Sequence, residues 1–388
     1  MRLAFLFPGQ GSQRPNMLSA LPHCPAIATT LDEFRSQRAI LNLPVDIDSP
    51  EVLADTTNVQ IALLVAGVGS ARTLVEEYGL APNFVAGHSV GAFAAAVTAG
   101  VLTLAEALVA VALRGRLMQE ACAHGAWGMA ALTGLSVRAA SQLADDVSTD
   151  HDPVWVANIN GETQTVLSGT AAGLDKVSHA AGAGAFEVLN VPVASHCPLQ
   201  AGTADQLATH LARLPRRTPT ARYLTNTRGR ATITAEVILD DLAQAVSHPV
   251  QWYDAMRLLP ELGATCAIET PARARPDPAA PLDRTDGHRT VSRRRRDSGR
   301  GGPCPPPVGR RRPIAPPLRW PPNCGYWMQM GIRTPRVTAP RLSMCISGKN
   351  DSCEFSHAVR PSPLLRPLRS SPCRWLAQGS VRPSPLTA

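Results

Sequence analysis

The chain opens with a short apolar run followed by a glycine-rich turn, and a similar unit recurs near residue 84. Residues 3–7 are continuously apolar, and Pro8-Gly9-Gln10-Gly11 follows them. Residues 84–86 form a second apolar run, and the alanine-rich stretch 92–97 comes soon after it. Such runs are typical of strands buried on both faces of a parallel sheet, and the alanine-rich stretch favours a helix.

Apolar residues recur at helical or strand spacing along most of the first 270 positions. The predicted helical segments are 51–79, which holds more than one helix, 104–118, 199–213, 235–245 and one opening at 252. Thr103 and Glu106 match the capping box of the second of these segments. The predicted later strands are 222–226 and 264–269.

Between residues 124 and 190 the pattern changes to a compact alternation of strands and helices. The predicted strands are 127–132, 154–160, 163–169 and 186–189, with helices at 136–144 and 172–181. The order β-α-β-β-α-β is that of a ferredoxin-like unit. We therefore expect an α/β fold with a hydrolase-like parallel-sheet core over 1–123 and 191–270. An inserted ferredoxin-like subdomain would cover 124–190.

Composition divides the 388 residues near position 270. Residues 1–270 carry 16 Lys and Arg against 24 Asp and Glu, whereas residues 271–388 carry 22 against 6 and hold 21 of the 35 prolines. With little hydrophobic periodicity, the second part is predicted to be a disordered tail. We favour out-of-frame translation after a frameshift near residue 271 as its origin. A nucleic-acid-binding arm is the alternative that its charge suggests.

Cysteine spacing and hydropathy indicate the cellular compartment in which the protein is expected. Cys24, Cys122, Cys197 and Cys266 are far apart and form no C-x-x-C pair. This spacing argues against a disulfide framework or a zinc site and fits a reducing cytoplasm. The N-terminal apolar run is too short for a signal peptide, and no continuous run reaches the ~18 apolar residues of a membrane span. We expect a cytoplasmic protein without a metal.

Residues 87–91 read Gly-His-Ser-Val-Gly, a G-x-S-x-G motif between a predicted strand and a predicted helix. The two glycines remove side chains that would clash when a strand turns sharply into a helix. Such a turn exposes the Ser89 hydroxyl and directs backbone N–H groups at an oxyanion formed there. An ordinary glycine-flanked turn is the alternative, but the strand before it and the helix after it favour a nucleophile.

A serine nucleophile needs a neighbouring base, and His196, in a loop of small residues, is the best candidate. Arg114 lies within an apolar helix, where an arginine either extends to solvent, forms a salt bridge or binds a carboxylate through its fork. Gln10 follows a predicted strand at the edge where α/β sheets bind ligands, although spacing alone favours a plain turn residue. The other histidines considered as bases are His88, His124, His179, His210 and His248.

Five segments together resemble one enzyme family. FPGQGSQ, GHSVGAF, LRGRLMQ, ASHCPL and HPVQW occur in the order, and at about the spacing, found in malonyl-CoA:acyl-carrier-protein transacylases. The resemblance covers residue 1 to about 270. Ala92 in GHSVGA makes the chain most similar to the epsilon subunit of malonate decarboxylase, because enzymes of fatty-acid synthesis usually read GHSLGE.

The resemblance implies a catalytic role for each of five residues. Ser89 would attack the malonyl thioester, and His196 would take its proton and return it to the leaving thiol. Gln10 and the backbone N–H of Val90 would form the oxyanion hole. Gln251 would orient His196 through its carbonyl, in the role that an aspartate has in a Ser-His-Asp triad.

The resemblance also implies the substrates. Arg114 would hold the free carboxylate of the malonyl group, and Asn160 would line the cleft between the two domains. The acyl group would pass from malonyl-CoA to the phosphopantetheine-type thiol of an acyl-carrier protein without a cofactor, with other malonate decarboxylase subunits as further expected partners. Malonyl transfer for fatty-acid or polyketide synthesis, and a serine thioesterase or hydrolase, are the alternatives; nucleic acid is not an expected partner.

Overall fold

The computed structural model describes residues 1–181 and 186–270, and the predicted tail at 271–388 lies outside the described residues. The strands are β1 (Leu3–Phe7), β2 (Phe84–Gly87), β3 (Trp127–Thr133), β4 (Val154–Gly161), β5 (Gln164–Thr170), β6 (Phe186–Val188), β7 (Arg222–Leu224), β8 (Ala231–Thr232) and β9 (Cys266–Glu269). The helices are α1 (Pro25–Ile40), α2 (Thr56–Arg72), α3 (Gly91–Thr98), α4 (Leu104–Ala121), α5 (Val137–Val147), α6 (Ala171–Ala181), α7 (Ala201–Leu211), α8 (Ala235–Gln244) and α9 (Trp252–Glu261).

The larger sheet has the strand order β8-β7-β2-β1-β9. Strands β1, β2, β7 and β9 run parallel, and the short β8 pairs antiparallel with β7. Phe5 and Phe84 are fully buried, as expected for strands covered on both faces. The predicted α/β fold with a parallel-sheet core is thereby confirmed. Because Phe7 pairs with Gly87, the turns that follow β1 and β2 lie side by side.

Helix α2 occupies the centre of the helical layer and packs against α1, α3 and α4. The segment Thr56–Glu77 would satisfy the length and hydropathy of a membrane span. Within it, 72% of the 18-residue window that meets the hydropathy criterion is buried inside the protein. Asn58 and Gln60 interrupt its apolar run. Burial in the core accounts for the hydropathy of this helix, because a helix that is apolar all round is a core helix when protein surrounds it.

The second sheet is antiparallel, with the strand order β4-β5-β3-β6. Its elements follow one another as β3-α5-β4-β5-α6-β6, which is the predicted ferredoxin-like order. Val250, from the segment before α9, joins this sheet to the larger part of the fold. Its N–H donates to the Ala157 carbonyl and its carbonyl accepts from the Ile159 N–H, both at 2.9 Å.

Some local details differ from the predictions. The predicted helices within 51–79 are a 3-10 turn at Val52–Ala54, helix α2 and a π-helical turn at Thr73–Glu77. Helix α2 begins at Thr56 because Asp55 caps it, accepting a hydrogen bond from the Asn58 N–H. Helix α1 was not predicted, since only one of its residues in four is buried. The capping box of Thr103 and Glu106 at the start of α4 is confirmed.

Candidate active site

Ser89 lies at the sharp turn between β2 and α3, in the left-handed backbone region with φ of 53°. A Cβ atom on Gly87 would come within 2.1 Å of the Gly91 carbonyl carbon, and one on Gly91 within 2.3 Å of the Phe7 carbonyl oxygen. No side chain fits at these distances, so the turn requires both glycines. A non-glycine residue at positive φ is strained, and such strain concentrates at functional sites.

His196 lies against Ser89, 107 positions away in the sequence. Its Nε2 is 2.8 Å from the Ser89 Oγ, and its Nδ1 is 2.5 Å from the Ala245 carbonyl oxygen. Because a carbonyl only accepts hydrogen bonds, Nδ1 carries the proton and the bare Nε2 accepts from the serine hydroxyl. His196 also has a positive φ of 60°, and its own N–H donates to the Val246 carbonyl at 2.7 Å.

Arg114 reaches the same hydroxyl from the middle of α4. Its Nη2 donates to the Ser89 Oγ at 3.1 Å and its Nη1 to the Gln60 Oε1 at 2.6 Å. The side chain is buried, and among the described residues no Asp or Glu forms an ion pair with it. Burial lowers the pKa of Arg114 to about 10, so it remains charged at neutral pH. A buried cation paired only with neutral groups favours binding of an anion.

The electrostatics keep the imidazole neutral. Burial, followed by the positive charge of Arg114, lowers the pKa of His196 to about 3. The free base is therefore the form present at neutral pH, and it is ready to accept the proton of Ser89. The site thus combines a strained serine, a neutral base within hydrogen-bonding distance and a fixed cation. These groups are suited to the transfer of an acyl group that ends in a carboxylate.

Gln10 lies in the turn after β1, beside the turn that carries Ser89. The packing is close, because a Cβ atom on Gly9 would come within 2.7 Å of the His88 carbonyl oxygen. Val90 is the N-terminal cap residue of α3, and its backbone is already helical, with φ of −57°. The predicted oxyanion hole would be built from this pair, and the assignment stays a prediction.

Asn160 does lie next to the serine turn, but its side chain contacts His88. The Nε2 of His88 is 3.0 Å from the Asn160 Oδ1, and both residues are buried. The His88 ring also meets the Trp252 ring edge-on, with centroids 5.4 Å apart. Asn160 thereby links the antiparallel sheet to the turn, and its role at the cleft between the domains stays a prediction.

The predicted role of Gln251 is wrong. The carbonyl that accepts from His196 Nδ1 belongs to Ala245, six positions earlier. The Gln251 carbonyl instead accepts from the Ala255 N–H at 3.2 Å as the N-terminal cap residue of α9, and the Gln251 N–H donates to the Asn226 carbonyl. The reason is geometric, because α8 ends at Gln244 and turns its last carbonyl groups toward His196.

Three supporting residues were not identified from the sequence. Gln60 holds the guanidinium of Arg114, and a polar residue inside the apolar run of α2 was the signal that could have revealed it. The Ser168 hydroxyl donates to the Ser195 carbonyl at 2.6 Å and accepts from the Ser195 N–H at 3.2 Å. The Gln200 amide donates to the Ala194 carbonyl at 2.8 Å. Ser168 and Gln200 thus fix the backbone that leads into His196.

The burial of His88 and His196 predicts that the fold loses stability in mild acid. Burial lowers the pKa of His88 to about 4 and that of His196 to about 3, against about 6.5 in the unfolded chain. As pH falls below 6.5, both imidazoles become protonated in the unfolded state but stay neutral in the folded state. The free energy of unfolding should therefore fall by on the order of 3 kcal/mol between pH 7 and pH 5.

Urea unfolding followed at pH 7 and pH 5 measures this loss. His88→Gln should retain about half of the pH dependence, because one buried imidazole is left. His179→Gln, at an exposed position, is the matched control for replacement of a histidine. Equal stability of the wild type at both pH values would contradict the prediction.

Comparisons with known proteins agree with this arrangement. A family model described as an acyl transferase domain matches residues 4–275. Malonyl CoA-acyl carrier protein transacylases of Salmonella typhimurium and Haemophilus influenzae are 33% and 32% identical to the chain over 267 and 276 residues. These matches cover 68% and 69% of the chain and 86% and 88% of the two relatives.

Solved structures show the same likeness in three dimensions. The malonyl CoA-acyl carrier protein transacylase of Coxiella burnetii superposes with a TM-score of 0.64 at 32% identity, over 69% of this chain and 86% of the other. A complex of a type II polyketide acyl-carrier protein with its malonyl-transacylase gives the same TM-score and identity, over 69% and 88%. The chain therefore belongs to the acyl transferase family, among the relatives of the malonyl-CoA:acyl-carrier-protein transacylases.

Proposed function

We propose that the chain moves a malonyl group from malonyl-CoA to the thiol of an acyl-carrier protein through a malonyl-Ser89 intermediate. One observation carries the proposal: the Ser89 Oγ lies 2.8 Å from the His196 Nε2 and 3.1 Å from the Arg114 Nη2. A base and a buried cation on one hydroxyl fit an acyl group that ends in a carboxylate. The names of the relatives at 32–33% identity support the same substrates.

The chemistry runs in two matched halves. Ser89 attacks the thioester carbonyl while its proton passes to His196 Nε2, the C–S bond breaks, and His196 returns the proton to the CoA sulfur. The carrier thiol then gives its proton to His196 and attacks the malonyl ester, and the Ser89 oxygen leaves and takes the proton back. Gln10 and the Val90 N–H would stabilise the oxyanion in both halves.

Arg114 makes transfer more favourable than hydrolysis. An ion pair with the free malonyl carboxylate would keep the acyl group in one orientation until the second thiol arrives. The neutral carbonyl of Ala245 stands where a hydrolase triad has its acid, which also distinguishes this site from a typical serine hydrolase. No cofactor is needed in this scheme, and the four described cysteines are free thiols, as expected of a cytoplasmic enzyme.

Within this activity we place the chain in a malonate decarboxylase system, with its carrier subunit as the partner. The support is the motif GHSVGA, in which Ala92 is buried at the start of α3. Malonyl transfer for fatty-acid or polyketide synthesis is the second candidate, favoured by the names of the relatives and of the carrier-protein complex. Genes for other malonate decarboxylase subunits beside this one would support the first setting, and their absence the second.

Mass spectrometry after incubation with malonyl-CoA tests the activity itself. We expect the peptide that contains Ser89 to gain the mass of one malonyl group, and holo acyl-carrier protein to remove it. Ser89→Ala should gain nothing. Free malonate released rapidly, without malonyl carrier protein, would favour a thioesterase or hydrolase and refute the proposal.

A further inference from the structure

We propose that Asn226 is a positioning residue that locks the turn carrying Ser89 into its reactive shape, and that Asp241 anchors it there. This inference deepens the proposed function and rests on Ser89 being the nucleophile. Neither Asn226 nor Asp241 belongs to the motifs that link the chain to its family. Both are buried, at 3% and 2% exposure.

The Asn226 side chain bridges the turn from one side to the other. Its Oδ1 accepts from the Ser89 N–H at 2.9 Å, and its Nδ2 donates to the Gly87 carbonyl at 2.9 Å. A single carboxamide thus satisfies both backbone groups that flank His88. An amide is the side-chain group that supplies a donor and an acceptor at this spacing, whereas a carboxylate only accepts.

The sheet explains how a residue 137 positions away reaches the turn. Strands β2 and β7 are parallel neighbours, with Leu224 opposite Ala86. The residues that follow each strand therefore leave the sheet at the same edge, which places Asn226 beside Ser89. Parallel strands bring their carboxyl ends together in this way throughout α/β sheets.

Asp241, on α8, holds the backbone of Asn226 in place. Its Oδ2 accepts from the Asn226 N–H at 2.8 Å and from the Tyr223 hydroxyl at 3.1 Å. Its Oδ1 accepts from the Thr227 N–H at 2.9 Å and from the Thr227 hydroxyl at 2.7 Å. Four donors on one buried carboxylate make the loop after β7 rigid.

Two consequences for catalysis follow. The strained φ of Ser89 persists only if surrounding contacts enforce it, and Asn226 supplies contacts on both sides of the serine turn. The Asn226 Oδ1 also accepts the hydrogen bond of the Ser89 N–H, so this N–H is already paired. The oxyanion hole must therefore use other donors, in agreement with the proposed Val90 N–H and Gln10. Asn226 touches no reacting atom, so it acts only through the position of Ser89.

Labelling with a fluorophosphonate tests the role, because this probe phosphonylates a reactive serine, releases fluoride and needs no malonyl-CoA. For Asn226→Ala we expect every molecule to be labelled at Ser89, but at least tenfold more slowly than in the wild type. The pH dependence of labelling should be unchanged, because His196 is untouched. Asn226→Ser, whose hydroxyl cannot span both backbone groups, should show the same slowing and replaces the alanine variant if that variant does not fold.

Thr30→Val is the matched control. Thr30 is also buried, and its hydroxyl donates to the Ala26 carbonyl within α1, so its loss lowers thermal stability without touching the turn. This variant should label at the wild-type rate. Two results for Asn226→Ala would overturn the proposal. One is partial labelling in which the labelled fraction reacts at the wild-type rate, which would show a merely structural role. The other is complete labelling at the wild-type rate. A wild type that is not labelled at Ser89 would refute the nucleophile itself and this proposal with it.

Discussion

Replacement of His196 by alanine should slow the malonylation of Ser89 by about 10⁴-fold while the chain remains folded. Without the imidazole, no described group bonded to the Ser89 Oγ can take its proton, because the other neighbour is the Arg114 guanidinium, which only donates. A serine hydroxyl that keeps its proton is a weak nucleophile at neutral pH.

Rapid quenching of the enzyme with malonyl-CoA, followed by mass spectrometry of the Ser89 peptide, measures this rate. His179→Ala is the control, since that histidine is exposed and should leave the rate unchanged. The wild-type rate should also show no fall as pH decreases through 6.5, because the pKa of His196 is lowered to about 3. A loss of less than tenfold in His196→Ala would exclude its role as the base.

Replacement of Arg114 by alanine should reduce the preference for malonyl-CoA over acetyl-CoA by about 30- to 700-fold, which corresponds to about 2–4 kcal/mol. The ion pair with the malonyl carboxylate would form in a buried setting where water screens it little. Acetyl-CoA has no carboxylate, so its transfer should change far less than that of malonyl-CoA.

The ratio of kcat/KM for the two thioesters measures this preference. Arg116→Ala is a matched control on the same helix, because Arg116 is exposed and pairs with Glu120. Arg114→Ala should also be no less stable than the wild type, since the change removes a buried cation that has no acidic partner in the described part of the chain. An unchanged malonyl preference in Arg114→Ala would refute its role as the carboxylate ligand.

Local patterns predicted the fold well where they repeat strongly. The apolar runs at 3–7 and 84–86 became the central strands, and the alternation between 124 and 190 became the ferredoxin-like sheet. Helix α1 escaped prediction because few of its residues are buried, so it shows no clear apolar stripe. Elements that are weakly amphipathic are held by their neighbours, and a single sequence does not show which neighbours those are.

The candidate site likewise has one part that the sequence predicted and another that it did not. The turn at Ser89 could be predicted because its glycines and its position between strand and helix are local features. The family resemblance predicts that the backbone carbonyl orienting His196 belongs to Gln251, whereas in the structure it belongs to Ala245. Every residue has a backbone carbonyl, so no residue type marks the one that will face an imidazole.

The sequence alone therefore predicted the turn at Ser89, the order of most of the elements and the chemical types of the candidate nucleophile, base and cation, because these depend on side-chain identity and short-range spacing. Only the tertiary structure decided that Ser89, Arg114 and His196 meet within hydrogen-bonding distance. It also decided which backbone carbonyl orients His196 and which distant amide spans the turn at Ser89. Those contacts depend on strand order and helix ends, which arise when distant segments pack together.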